Sequence, residues 1–217
     1  MTTDLDEIRK RTEILPQNFP TTLSVADTGV RSKTPYNLVS VRESLIWRTE
    51  ELARGACDML ARDDLASGIL LTRAVTESAA FIWRLKELLE TRGTHAPKDL
   101  NEKVLEMIAG WKNDPDFPKA TNILTHIKHM DKTISGIEAR YLSLSEFAHP
   151  NWSGVAGLFS EIDKENYITR FGKGWSKNEG IKEMATNLLI ASLDLFTYAY
   201  NAISDNMPTY LSELEPL

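Results

Sequence analysis

The stretch from Leu65 to Leu85, LASGILLTRAVTESAAFIWRL, constrains the fold more than any other part of the sequence. It is apolar around nearly the whole circumference of a helix, which is typical of a helix buried inside a bundle. Three charged residues interrupt it, namely Arg73, Glu77 and Arg84. At 3.6 residues per turn Glu77 lies roughly 40° from Arg73, and Arg84 roughly 20° from Glu77, so the three share one stripe. Because unpaired buried charge is costly, the stripe predicts either a ladder of ion pairs or the wall of a polar pocket.

The same stretch is long enough to span a bilayer, but Arg73 and Glu77 near its middle favour a core helix, so we expect no membrane association. The segment from Thr2 to Arg11 is charged and does not read as a secretory signal. The single cysteine, Cys57, excludes an internal disulfide and a zinc site with several cysteines. These features predict a cytoplasmic protein.

The charge of the chain limits its partners. The net charge is −6 and the pI is about 5.3. Generic DNA binding needs a basic surface, so we do not expect it here.

Apolar residues at helical spacing predict an all-α bundle of about six helices, three of them long. The first two long helices form an antiparallel hairpin. An irregular N-terminal arm precedes them, and a small β-hairpin is expected within residues 165–174. The arm either wraps its own body or reaches a second subunit. The predicted boundaries are 1–34 for the arm, 35–207 for the helical bundle and 208–217 for a C-terminal tail.

Cap signals predict where the long helices begin and end. Thr34 before Pro35 marks the start of the first. The carboxylates of Asp63 and Asp64 suit the N-terminus of the second, which runs to about Arg92. The remaining signals are Ser176 with Glu179, which starts the last long helix, and Met207-Pro208, which ends it.

The segment from Tyr141 to Trp152, YLSLSEFAHPNW, is the second candidate for chemistry. Glu146 and His149 lie on one flank of the predicted fifth helix, which ends near His149 because Pro150 follows. The helix dipole and Glu146 both favour a protonated imidazole, so His149 suits a general acid or base. A second interpretation makes His149 a capping residue, with Asn151 completing the turn.

Together the two segments predict a polar pocket formed by Arg73, Glu77, Arg84 and His149. Asp194 is the one acid in the apolar run of the last helix, which makes it a natural partner for an arginine of the stripe. The predicted catalytic residues are His149, Arg73 and Glu77. The predicted binding residues are Arg84, Glu146, Tyr141, Asn151 and Asp194.

The motifs RAVTESAAFIW (Arg73 to Trp83) and YLSLSEFAHPNW resemble uncharacterised bacterial all-helical proteins near the HEPN superfamily, which share R-x-x-x-E and S-E-x-x-H-P. The resemblance implies a dimeric helical bundle and, for many members, metal-independent ribonuclease activity in defence or toxin–antitoxin systems. There an arginine stabilises the transition state and a histidine four to six residues away moves the proton. Here eight residues separate Arg140 from His149, on opposite helix faces, so the arginine must come from the stripe or from a dimer partner.

Metal chemistry has weaker signals. Glu146 and His149 match one Glu-x-x-His element of di-iron bundles, but a second such element is missing from the sequence. His126 and His129 fall to one side of an apolar helix face, where we expect them to be solvated. We therefore expect no metal and no cofactor.

Two functions stay open. The first is a homodimer that binds a ligand or a protein partner through the Arg/Glu/His pocket, with a small anionic ligand suited to its arginines. The alternative is a HEPN-like RNA endonuclease in which His149 acts on the proton and Arg73 or Arg84 holds phosphate.

Overall fold

The computed structural model describes residues 2–14, 19–94, 97–110 and 116–216. This described part contains seven α-helices and one two-stranded antiparallel sheet, which confirms the predicted all-α bundle with a small β-hairpin. The helices are α1 (Thr2–Ile14), α2 (Thr34–Ala61), α3 (Leu65–Glu90), α4 (Pro97–Ala109), α5 (Ile123–Asp131), α6 (Ile137–Ala148) and α7 (Glu179–Ser212). The strands are β1 (Ser160–Asp163) and β2 (Ile168–Phe171).

Helix α3 is the centre of the bundle, as its apolar circumference predicts. It packs against α2, α5, α6 and α7, and its buried side chains contribute to one continuous core. By length and composition alone α3 could cross a membrane, with a mean hydropathy of 1.3 over its most apolar window. More than half of that window, 56%, is buried inside the protein, as in the core helix of a bundle.

Helices α2 and α3 form the predicted hairpin, joined by a turn of three residues from Arg62 to Asp64. The two helices approach closely where Gly68 faces Leu60. A Cβ atom on Gly68 would lie 2.7 Å from Leu60 Cδ2, so a larger residue there would force the Leu60 side chain to shift. The hairpin supplies two of the three long helices of the core.

The predicted cap residues make other contacts. Thr34 lies inside α2, where its hydroxyl donates to Asn101 Oδ1 at 2.8 Å. Asp64 is the N-cap of α3, but its side chain makes no capping hydrogen bond; its Oδ1 instead accepts from Lys173 Nζ at 2.5 Å. Asp63 Oδ1 accepts from Lys182 Nζ, also at 2.5 Å. Ser176 opens a 3₁₀ turn rather than α7. The two carboxylates therefore tie the turn between α2 and α3 to distant segments.

The described parts of the N-terminal arm pack on their own chain. Leu5 and Ile8 of α1 are buried in the core against α2 and α7. Phe19 contacts Trp47 of α2 edge-on, with ring centroids 4.9 Å apart. The arm is thus continuous with the bundle, and the predicted boundary at residue 34 does not separate them. Residues 15–18 of the predicted arm lie outside the described ranges.

Helix α7 continues through Pro208 to Ser212, so the predicted end at Met207-Pro208 was wrong. A proline inside a helix removes one backbone hydrogen bond. Burial of Tyr210 offsets that loss, since its side chain packs in the core and under the Arg92 guanidinium, 5.6 Å from the ring centroid. Arg92 also pairs with Glu213 at 2.6 Å. The predicted tail therefore begins later than residue 208.

The β-hairpin begins earlier than predicted. Only β2 falls within residues 165–174, whereas β1 precedes that range and pairs Ser160 with Phe171. Asp163 organises the turn, because its Oδ1 accepts from the backbone of Glu165 at 3.2 Å and of Asn166 at 3.1 Å. A π-helical turn from Ser153 to Gly157 joins α6 to the hairpin.

Candidate functional site

The charged stripe of α3 divides into two separate clusters. In the first, Tyr141 of α6 stands between Arg73 and Glu77. Its hydroxyl donates to Glu77 Oε1 at 2.7 Å and accepts from Arg73 Nη2 at 3.0 Å. The guanidinium carbon lies 4.9 Å from the centroid of the tyrosine ring. Burial, and then the bond to Glu77, raise the pKa of Tyr141. This cluster matches the ladder interpretation, with a tyrosine in place of a direct ion pair.

Arg84 belongs to a second cluster, eleven residues along the chain and about 16 Å of helix rise from Arg73. Its Nη1 donates to Glu87 Oε2 at 3.0 Å, and Trp83 Nε1 donates to the other oxygen at 3.1 Å. His129 Nδ1 of α5 lies 3.7 Å from Glu87 Oε2. Sequence reasoning missed Glu87, although its spacing of three residues from Arg84 is a helical pairing distance.

His149 lies at the far end of α6, exposed to solvent. It lies eight positions after Tyr141, about 12 Å of helix rise. Beyond it, Asn151 closes the turn: its Nδ2 donates to Glu146 Oε2 at 3.1 Å and its Oδ1 accepts from Gly154 N at 2.9 Å. Asn151 therefore completes the turn, as the capping interpretation expects.

The predicted single pocket of Arg73, Glu77, Arg84 and His149 is not formed. A helical projection gives the angle of a side chain around the axis but not its height, and α3 is about 39 Å long. Asp194 does not pair with an arginine of α3 either. It lies on the exposed face of α7, where Arg11 of α1 donates to its Oδ1 at 2.6 Å.

One member of the stripe does face a cavity. Arg84, His126 and His129 line a cavity of about 210 Å³ where α3, α4 and α5 meet, which we call the histidine groove. His126 is only 4% exposed, so the expectation that it is solvated was wrong. It packs edge-on against Phe81, with ring centroids 5.7 Å apart. The other residues of the histidine groove are Leu88, Lys103, Glu106, Met107, Thr121 and Thr125.

Electrostatics keep both imidazoles of the histidine groove neutral near pH 7. Burial, and then the positive charge of Arg84, lower the pKa of His126 to about 4. The same two causes lower the pKa of His129. Among the described residues, His126 Nδ1 has no hydrogen-bond partner. The groove thus combines a guanidinium with neutral imidazoles, an arrangement that can donate hydrogen bonds to a polar ligand.

The arrangement does not suit a metal ion. Within the described ranges, no three His, Cys, Asp or Glu side chains are grouped so that they could hold one. The guanidinium of Arg84 beside the two imidazoles also opposes a bound cation.

No family model, curated protein or solved structure matches this chain. The resemblance to HEPN proteins therefore stays a prediction that rests on two short motifs. The ribonuclease alternative also stays a prediction. In the structure His149 is exposed, and Arg73 donates a hydrogen bond to Tyr141.

A further polar cluster between α2 and α7 was not expected from the sequence. Tyr200 Oη donates to Glu43 Oε2 at 2.6 Å, and Arg42 Nε donates to Glu43 Oε1 at 2.7 Å. The Arg42 guanidinium lies 4.5 Å from the centroid of the Tyr200 ring and also bonds Ser204 Oγ. Burial, and then the bond to Glu43, raise the pKa of Tyr200 to about 12. The signal in the sequence was the charged pair Arg42-Glu43 within an apolar helical pattern.

Proposed function

We propose that this chain binds a small anionic ligand, carrying a phosphate or carboxylate group, in the histidine groove. The observation that carries the proposal is the buried His126, which lines the same 210 Å³ cavity as Arg84 and whose Nδ1 has no partner among the described residues. Buried polar side chains are nearly always hydrogen-bonded, so an orphaned imidazole in a cavity wall points to a missing polar group. A ligand oxygen meets that need.

The hydrogen-bond donors of the groove support an anion over a neutral molecule. The guanidinium of Arg84 has five N–H donors on three nitrogen atoms. Its Nη1 donates to Glu87. After burial, the charge of this guanidinium is the next cause that lowers the pKa of both histidines, and Glu87 acts in the opposite direction. Thr121 and Thr125 add hydroxyl donors to the wall. Hydrogen bonds between a guanidinium and an anion are stronger than neutral ones, and they favour phosphate or carboxylate.

Titration with inorganic phosphate tests this proposal, with the histidine ring resonances followed by NMR at pH 6.5. We expect saturable shifts of His126 and His129, while His149, exposed just after α6, stays unchanged. Arg84→Gln should weaken phosphate binding at least about 10-fold, because a hydrogen bond to a charged group is lost. Arg140→Gln is the matched control, since it removes the same charge from an exposed site. Equal affinity in Arg84→Gln and Arg140→Gln would contradict the proposal.

We also propose that the chain forms a homodimer through the segment from Trp152 to Phe171. Seven large apolar side chains in this segment are between 41% and 94% exposed: Trp152, Val155, Phe159, Ile162, Tyr167, Ile168 and Phe171. At about 200 Å² for each aromatic side chain, its four aromatic residues alone leave on the order of 600 Å² uncovered. A standard protein interface buries about 800 Å² on each partner, so a second copy is an occupant of matching size.

Light scattering coupled to size exclusion tests the dimer. The molar mass from light scattering should be twice the chain mass of 24.5 kDa. Replacing Tyr167 and Phe171 with aspartate should return it to the monomer mass, because charge is then buried in an apolar interface. Leu70→Asp, at an exposed apolar residue of α3, serves as the control and should stay dimeric. A wild-type chain of monomer mass at micromolar concentration excludes this interface without affecting the ligand proposal.

A further inference from the structure

A second cavity, of about 120 Å³, lies between α2 and α7 and shares no residue with the histidine groove. Its walls are mostly apolar and include Ile46 of α2 and Leu193 and Phe196 of α7. Cavities between the helices of a bundle are common ligand sites, with a few polar groups that fix the orientation of the ligand. Thr49 is the buried polar group of this cavity that has no partner among the described residues.

The side chain of Thr49 lines the cavity, is 2% exposed, and has a hydroxyl without a hydrogen-bond partner among the described residues. Threonines inside helices commonly donate to the carbonyl four residues earlier. Thr186 and Thr197 of α7 do so, each at 2.9 Å. A buried hydroxyl without a hydrogen-bond partner destabilises the folded protein, so a ligand that bonds Thr49 removes that cost.

Glu50, Thr197 and Tyr200 also line the cavity and are already engaged, while Asn201 at its edge is exposed to solvent. Glu50 accepts from Arg54 Nε at 2.9 Å. Tyr200 donates its hydroxyl proton to Glu43 at 2.6 Å. With these groups engaged, the hydroxyl of Thr49 is the polar atom that we assign to a ligand.

The size of the cavity limits what it can hold. An apolar cavity of about 150 Å³ in another protein takes up benzene, so 120 Å³ suits one aromatic ring or a short branched chain after slight adjustment. We propose that this cavity binds a small, neutral, mostly apolar molecule with one hydrogen-bonding group, of the phenol or short-chain alcohol class. The apolar walls hold the body of the molecule, and Thr49 bonds its hydroxyl. For a ligand of this size we expect a dissociation constant on the order of 1 mM.

Phenol and toluene are the probes, because they differ mainly in the hydroxyl group. The methyl resonances of Ile46 and Leu193 in the cavity wall should shift saturably with both probes, and phenol should bind more tightly. Thr49→Val keeps the shape of the side chain but removes its hydroxyl. We expect it to weaken phenol binding about 5-fold and to leave toluene binding within a factor of two.

Thr186→Val is the matched control, since it makes the same exchange at a buried threonine of α7 whose hydroxyl bonds the Lys182 carbonyl. Thr186→Val should bind both probes as the wild type does, and so should Thr49→Ser, which retains the hydroxyl. The proposal is overturned if neither probe gives a saturable shift, which would leave the cavity as a packing gap. It is equally overturned if Thr49→Val binds phenol as tightly as Thr186→Val does. Because the histidine groove is not involved, phosphate titration and phenol titration succeed or fail independently.

Discussion

At the scale of single residues, His126 is the group whose burial has the clearest consequence for stability. Its pKa falls from 6.5 to about 4 on folding, chiefly because the ring is removed from water and secondly because Arg84 is close. His129 acts in the same direction, and Glu87 opposes it. The unfolded chain therefore binds a proton between about pH 6.5 and pH 4 that the folded chain does not bind.

The sign of this linkage predicts acid sensitivity. Stability from the neutral His126 ring is fully present above pH 6.5 and is lost as the pH falls towards 4, because proton binding then favours the unfolded chain. Urea unfolding at pH 7.5 and pH 5.0 should show a loss on the order of 2 kcal/mol from this residue. His126→Gln should reduce that loss, whereas His149→Gln, at an exposed site, should not. If both variants retain the full pH dependence, burial of His126 is not its cause.

The sequence pattern indicated which charged and polar residues interact, but not which residues of other helices they contact. The stripe of α3 was expected to be a ladder of ion pairs or the wall of a polar pocket, and in the structure Arg73 and Glu77 are linked through Tyr141. Tyr141 was named only as a binding residue, since the sequence does not say which helix will lie against Arg73. Likewise His126 and His129 were placed beside an apolar helix face, but the contact with Phe81 that buries one ring depends on how α5 packs.

At the scale of elements, local sequence signals determined where a helix begins and ends unless tertiary contacts opposed them. Helix α6 begins after Gly136, whose φ of 94° lies outside the helical region. It ends before His149 and Pro150, as predicted. Helix α7 did not end at Pro208, because burial of Tyr210 outweighs the lost hydrogen bond. Tertiary contacts therefore override a local stop signal where they bury enough surface.

The polar cluster of Arg42, Glu43 and Tyr200 couples α2 to α7, and removing one member should cost much more than removing the pair. Arg42 and Glu43 expose only 12% and 11% of their side chains. Arg42→Met leaves the Glu43 carboxylate buried without its cation, so we expect a loss of about 3 kcal/mol in urea unfolding. Combining Arg42→Met with Glu43→Gln should restore most of that loss, because no buried charge is left uncompensated.

The control for this coupling is an ion pair at the surface. Arg31 and Glu215 are both exposed and 3.8 Å apart. Exposed pairs contribute little, so Arg31→Met should leave the free energy of unfolding almost unchanged. A loss in Arg42→Met no larger than that in Arg31→Met would show that the cluster does not hold α2 to α7.

At the scale of the whole molecule, the sequence predicted the class of fold but not the candidate site. The histidine groove draws on three helices, and of its residues only Arg84 was expected to bind a ligand. Periodicity tells which face of a helix is buried, but not which faces meet. The cavity at Thr49 has the same origin, since a gap between two packed helices has no signature in either helix alone.

Helix α1 was predicted as part of an N-terminal arm, but in the structure it packs on the bundle. The reactivity of the Cys57 thiol can test this packing. Helix α1 packs over the thiol, whose sulfur donates to the Leu5 carbonyl at 3.2 Å, and burial raises the pKa of Cys57. Ile8→Asp should release α1, because Ile8 is 1% exposed and a buried carboxylate is costly. The thiol then becomes both accessible and easier to ionise, so its reaction with a disulfide reagent should accelerate about 10-fold or more.

The rate of thiol modification in native buffer, with helix content followed by circular dichroism, distinguishes local release of α1 from general unfolding. The helix content of Ile8→Asp should fall by no more than the share of α1, while the rate rises. Val25→Asp is the control, since it places the same charge at an exposed position of the N-terminal arm and should react as slowly as the wild type. An unchanged rate in Ile8→Asp would mean that α1 does not cover the thiol in solution.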